Sequence, residues 1–503
     1  MKLTRHTGLL LLVTAITAGP PTVTAGGMTV DARVDDRLIV ELRDGVDPMV
    51  YLATVEADFP DADLEIVDSV PGRSVHLLEL IWSGSAVGLE VFETALETGY
   101  DTFVWSAEFL YTNQAPEGRT GSVYVDGIAP SAFADQYART RLGLDAAHAR
   151  SRGLSTVVAV LDTGVDPNHP ELSQSVLPFG FDFVDGDANP ADVANGIDDD
   201  GDGTTDEMAG HGTFVAGLVV LTAPETRILP VRILDSDGNG DEWALVRGLY
   251  YAIDRGVEVI NLSLSSTYDT VAVRQAIAVA ARNGIMVVAA AGNLDHDTPR
   301  EFPAMDEAEL REPLPGEPRE IAGALGVAAV DPGDVKAPFS NFNRRLSLSA
   351  PGAGALGGAP SERIVSAAPN GVYAAWEGTS FATAFVSGTA ALTRAQHPEW
   401  GGDLDTYLLV EGVLTGTATN IDALNPDFAA DAELGAGRLD SAAAVAVGPV
   451  APVLGDLDRS GIVSFGDLST LLADWHATHS SSDLDLNGTV GFSDLLILLS
   501  RWG

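Results

Sequence analysis

No cysteine occurs among the 503 residues, which excludes disulfides, thiolate zinc sites and a thiol nucleophile. Extra stability in an oxidising medium must then come from packing or bound metal. Positive charge is scarce as well. Only two of the 28 basic residues are lysine, Lys2 and Lys336, and the net charge is −44. A phosphate backbone recruits Lys and Arg, so nucleic acid is excluded as a partner. A GC-rich coding bias and adaptation to salt would each leave such a composition. Long apolar runs are missing beyond the N-terminus, which excludes a membrane span after it. The one such run, residues 8–18, follows Lys2, Arg5 and His6 and precedes small residues ending at Ala25. That order reads as a secretory signal over residues 1–25, and as a secreted, extracellular or cell-surface protein.

What is present is enough apolar residue, 46%, to fold most of the chain. Four segments follow the signal. Residues 28–116 form a small α/β unit: "DRLIVELRDG" and "SVHLLELIW" are strand patterns, and "AVGLEVFETALETG" is helical. Residues 113–127 read as an exposed polar linker. From 131 to 448, continuous apolar runs ("STVVAVLD", "RILPVRIL", "VEVINLSL", "GIMVVAAAGN") alternate with helical stretches such as 242–256 and 271–284. Runs of that kind suit strands buried on both faces, and the alternation predicts a mostly parallel sheet between helical layers. Active residues in such sheets gather at the carboxyl ends of strands. Residues 449–455 are a linker to a repeat, "DLDRSGIVSFGDLSTLLADW" and "DLDLNGTVGFSDLLILLSRW", which marks a separate module over 456–503.

Three stretches meet the placement rule. "VVAVLDTGVDP" ends a strand at Asp162, "GHGTFVAGLVV" opens a helix at His211, and "GTSFATAFVSG" opens another at Ser380. A serine hydroxyl is a poor nucleophile until an imidazole takes its proton, and the imidazole needs a carboxylate to fix its tautomer. In the order Asp, His, Ser, these stretches closely resemble the subtilisin-like serine proteases, over roughly residues 131–448. The resemblance implies a three-layer α/β domain that hydrolyses peptide bonds in protein or peptide substrates through an acyl-enzyme. It implies that residues 28–116 are an inhibitory propeptide and the chain a self-processing zymogen. It assigns Asn293, in "VVAAAGN", and the Ser380 amide to the oxyanion hole. It also makes Ser263, Leu264 and Ser265 a substrate-pairing strand, with Ala290, Ala291 and Gly292 as the opposite wall. Departures are Ser265 for the usual Gly, Phe381 for the commoner Met and Ala384 for Pro. The alternative is a catalytically inactive, calcium-dependent adhesion or scaffold protein; an intact triad argues against it.

Calcium is the expected structural cofactor. Asp198, Asp200 and Asp202 alternate before Gly203, the first half of a calcium-loop pattern, although Ala209 stands at the twelfth position. In the repeats, Asp456, Asp458, Ser460, Ser464 and Asp467 fill positions 1, 3, 5, 9 and 12 of such a loop. Asp483, Asp485, Asn487 and Asp494 fill 1, 3, 5 and 12 of a second. A short apolar helix follows each loop, so a small helical, EF-hand-like module is expected. The pair resembles the type I dockerin module, which implies a cohesin-like or cell-surface partner. Phe465–Gly466 and Phe492–Ser493 stand where that family carries Ser/Thr pairs, which weakens the implied partner. A calcium-folded cap with no partner is the other reading.

Overall fold

The computed structural model describes residues 32–118, 124–305, 323–355, 358–447, 465–473, 475, 490–500 and 502. The signal segment and the linker 449–455 lie outside them. So do the expected ligands Asp456, Asp458, Ser460, Ser464, Asp483, Asp485 and Asn487, and the side chain of Asp467.

The N-terminal unit comprises β1 (Arg33–Leu42), α1 (Pro48–Asp58), β2 (Ala62–Ser69), β3 (Val75–Trp82), α2 (Ala86–Thr98) and β4 (Val104–Gln114). Its helices begin where sequence chemistry allows: Asp47 caps α1 by accepting from the Met49 amide, and Ser85 caps α2 through Gly88. The antiparallel strands run β2–β3–β1–β4. They bury their own core of Leu38, Val40, Tyr51, Val55, Leu78 and Phe92.

Three short helices, α3 (Pro130–Asp135), α4 (Tyr137–Arg141) and α5 (Leu144–His148), lead into the larger domain. Its strands are β5 (Val157–Asp162), β6 (Phe181–Asp182), β7 (Arg227–Arg232), β9 (Val259–Leu262), β10 (Met286–Ala290), β11 (Leu325–Val330) and β12 (Leu348–Pro351). They form one parallel seven-stranded sheet in the order β12–β11–β10–β9–β5–β7–β6. Helices α6 (His211–Thr222), α7 (Glu242–Asp254), α8 (Val271–Arg282) and α9 (Thr379–Gln396) cover it. Gly248 of α7 lies against Leu161, while Ser387 of α9 bonds Asn261. Asn261 sits beside Val160 in register, and successive residues of a strand face opposite sides. The two helical layers therefore cover opposite faces, the expected three-layer arrangement.

The short β8 (Asn239–Asp241) joins the N-terminal sheet by pairing antiparallel with β4; sequence pattern alone reads residues 235–242 as loop. A second correction concerns residues 113–127. Asn113, Gln114, Ala115 and Glu117 are buried rather than exposed, because β4 runs into the cleft of the larger domain and finds hydrogen-bond partners there. Other contacts seat the unit: Glu108 accepts from the Val271 and Ala272 amides at the start of α8, and Asp68 accepts from Trp243 and Arg247. The carboxylate on free helix-terminal amides satisfies donors that the helix leaves open. A hairpin, β13 (Val365–Ala368) and β14 (Val372–Ala375), with α10 (Leu404–Gly416) and α11 (Ser441–Ala444), completes the domain. Near the C-terminus, α12 (Phe465–Ala473) and α13 (Phe492–Ser500) pack through Leu468, Leu471, Leu495 and Leu498, with Val490 and Trp475.

Candidate active site

Asp162, Leu262 and Ala290 end adjacent strands at the same edge of the sheet, because the registers pair Leu161 with Leu262 and Leu262 with Ala289. Helices α6 and α9 start above that edge. Gly210 precedes α6 with φ of 102°, a left-handed conformation open to glycine. At Gly212 a Cβ would run into the Gly164 carbonyl and Asp162, so only glycine lets the helix start beside the carboxylate. Further back, a Cβ at Gly388 of α9 would meet Thr222 of α6. The small residues around Ser380 therefore let the two site-bearing helices touch.

The structure brings Asp162, His211 and Ser380 together, the last two through a shared neighbour, Glu117. Asp162 Oδ1 lies 2.7 Å from His211 Nδ1 and also accepts from the Thr163 amide at 2.8 Å. On its other side, His211 Nε2 lies 3.1 Å from Glu117 Oε2. Ser380 Oγ donates to the same oxygen at 2.7 Å. The second oxygen, Glu117 Oε1, accepts from Asn293 Nδ2 at 3.0 Å. One carboxylate thus meets every expected catalytic side chain except Asp162. Its Oε2 lies between Ser380 and His211, and its Oε1 lies at the Asn293 amide.

The orientation of Asn293 is set from behind. Its Oδ1 accepts from both the amide (3.0 Å) and the hydroxyl (2.9 Å) of Thr379, and the Gly292 amide donates to that hydroxyl. With Oδ1 engaged, Nδ2 is the atom left to face the cleft. Asp192, fully buried, accepts from the Gly210 amide and from the amide and hydroxyl of Thr213, pinning the first turn of α6. Trp376 and Phe381 pack against the imidazole, at 5.4 Å and 5.5 Å between ring centroids, and Phe214 packs on both of them. Burial disfavours charge on His211. The neighbouring Asp162 and Glu117 carboxylates outweigh it and push the imidazole up to about 10.

Ser265 pairs with Gln114 through two backbone bonds: Gln114 N to Ser265 O, 3.2 Å, and Ser265 N to Gln114 O, 3.0 Å. The Ala115 amide donates to the Gly238 carbonyl. This one-residue antiparallel bridge seats the chain's own segment beside Ser265 by main-chain hydrogen bonds, the kind of bond that strand addition uses. Ser263 Oγ donates to the Ser380 carbonyl and Leu264 is buried. Ala290, Ala291 and Gly292 are buried nearby. Ala291 and Gly292 bond Val327, Asn341 and Thr379 rather than residues 114–117. Sequence reasoning missed Glu117, Thr379 and Asp192. Thr379 adjoins the nucleophile, but an acid after proline in a polar stretch carries no signal of its own.

Asp198, Asp200 and Asp202 each offer a carboxylate oxygen within 4.8 Å of the others. Burial and the neighbouring Asp202 and Asp237 carboxylates raise Asp200, and Glu207 is pushed up to about 7 by burial with Asp237, Asp202 and Asp200. Hard oxygen donors held this close fit a calcium ion. Asp494 is buried at the start of α13 and accepts from the Gly491 amide.

A family profile described as the subtilase family matches residues 153–437. The chain is 34% identical over 261 residues to thermitase of Thermoactinomyces vulgaris, covering 52% of this chain and 82% of that protein. It is 31% identical over 276 residues to a subtilisin of Bacillus pumilus, covering 53% and 85%. A protease structure from Pseudoalteromonas arctica superposes with a TM-score of 0.50 at 27% identity, covering 62% of this chain and 96% of that one.

Proposed function

The chain belongs to the subtilase family and is a subtilisin-like serine protease, and on that premise we propose that it is a secreted endopeptidase made as a self-processing zymogen. Ser380 attacks the scissile carbonyl while His211 takes its proton and later delivers it to the leaving amine. Asp162, on Nδ1, holds the tautomer and steadies the imidazolium. Asn293 Nδ2 and the Ser380 amide stabilise the oxyanion; loss of one such donor typically costs on the order of 100- to 1000-fold in turnover. The observation that carries this reading is the convergence of Ser380, His211 and Asn293 on the two oxygens of one carboxylate. An intact constellation of this kind speaks against the non-enzymatic adhesion or scaffold alternative.

Residues 28–116 act as the inhibitory propeptide. The reading is supported by the run of β4 along the substrate edge, between β8 and Ser265. Residues 131–448 are the peptidase domain and 456–503 a dockerin-like calcium module. Subtilases commonly carry structural calcium, and Asp198, Asp200 and Asp202 are the proposed site in this domain. Among the described residues no helix is long and apolar enough to cross a membrane, in keeping with export through the N-terminal signal.

The test is Ser380→Ala with denatured casein as substrate and a serine-directed fluorophosphonate as label. The expected result is loss of both casein hydrolysis and removal of the N-terminal segment, with the wild-type label located on Ser380 by mass spectrometry. Normal maturation of the Ser380→Ala chain in a protease-free host would defeat self-processing.

A further inference from the structure

We infer that Glu117 is a side-chain latch, whose carboxylate fills the place of the reacting acyl group and keeps the uncut chain inactive. The inference rests on the reading of the N-terminal unit as an inhibitor and names the atoms through which it acts. Backbone pairing brings the segment in: Gln114 binds Ser265 on one side, and residues 112–114 pair with β8 on the other. The chain then turns, the Gly118 amide donating to the Ala115 carbonyl at 3.1 Å. The turn offers the catalytic groups a side chain instead of a peptide bond.

The carboxylate is built into this position. Its side chain is fully buried, and an unpaired buried carboxylate is too costly to persist. All three of its hydrogen bonds come from the catalytic groups Ser380, His211 and Asn293. Gly378 leaves the room: a Cβ there would collide with Oε1.

Two consequences follow for the chemistry. The Asn293 donor is spent on Oε1, so no peptide carbonyl can be polarised by it. The imidazole, between Asp162 and Glu117, stays protonated at neutral pH and cannot accept the Ser380 proton, and the Ser380 hydroxyl donates its hydrogen bond to Glu117 instead. A carboxylate also offers no amine to expel, so the enzyme cannot consume the latch as it would a peptide in the same place. Self-cleavage must wait until Glu117 withdraws.

The test uses the full chain. Fluorophosphonate labelling of Ser380 is timed in the still-uncut band for wild type, Glu117→Gln and Glu117→Ala. Glutamine keeps the shape and removes the charge; melting curves check that both variants fold. Breaking one side of a buried, hydrogen-bonded charge pair predicts labelling faster by on the order of 30-fold or more. Slow wild type with fast variants supports the latch. Slow labelling in all three chains overturns it while leaving main-chain inhibition intact. Fast labelling of uncut wild type overturns the inhibitory reading itself. A second readout is the His211 imidazole resonance in a Ser380→Ala background: the latch requires its titration to fall when Glu117→Gln is added, and an unchanged titration overturns it.

Discussion

Thr379 decides which end of the Asn293 amide faces the cleft, since its amide and hydroxyl both donate to Oδ1. Thr379→Val removes one of these bonds and strands the Gly292 amide. Turnover should drop roughly tenfold with KM little changed, as expected when a buried donor loses its orientation; steady-state kinetics on a peptide substrate separate the two. His211 gives a second prediction at this scale. In the uncut chain its pKa is raised to about 10, above the ordinary histidine value near 6.5. A raised value means the docked state binds the proton more tightly. Its stabilisation is complete below the ordinary range and is lost as pH rises through about 10. Melting temperatures of the full-length Ser380→Ala chain should therefore fall from pH 7 to pH 10.5 more steeply than those of the same chain carrying Glu117→Gln. Parallel curves would mean that the imidazolium contributes nothing to docking.

Among the elements, the contact between α6 and α9 is a tight constraint on the site, because a Cβ at Gly388 would lie 2.5 Å from Thr222 Cβ. Gly388→Val should push the helices apart and cost about 1–3 kcal/mol, read as a lower melting temperature with a proportionate loss of activity. These helices, and strands β5, β9 and β10, were legible in the sequence because apolar runs buried on both faces and Gly-rich helix starts are local signals. The positions of Asp162, His211 and Ser380 were legible for the same reason, each at the end of a strand or the start of a helix; their roles came from the family resemblance. β4 was not. Its burial does not alternate, since one part covers the N-terminal core and the other enters the cleft of a different unit. Residues 113–117 look like linker because they are polar, and polarity marks exposure only when no partner is waiting. Gln114, Ala115 and Glu117 find theirs at Ser265, Gly238 and the catalytic groups. Partners that lie 94 residues or more away in the chain leave no trace in a local window.

At the scale of the whole molecule, the C-terminal repeats and the peptidase domain should be separable. The module's described core is small, Leu471, Val490 and Leu498 with three flanking side chains, and below roughly 70 residues metal is a common staple. Residues 456–503, produced alone, should gain helical circular dichroism on adding calcium and lose it with chelator, and Asp456→Ala with Asp483→Ala should stay unfolded. Equal helicity in chelator would remove calcium from the account. Deleting the module should leave casein hydrolysis unchanged, because every group around Ser380 lies upstream. One further consequence comes from the continuity of β4 with the residues that fill the cleft. On the propeptide reading proposed above, inhibitor and enzyme share one molecule while the chain is uncut, and the local concentration of the blocking segment is on the order of millimolar whatever the dilution. A single cut downstream of Glu117 ends that advantage and makes the same contact an ordinary equilibrium between two bodies. Onset of activity should then depend on how dilute the preparation is: crowded at its source the protein stays silent, and once dispersed it switches on.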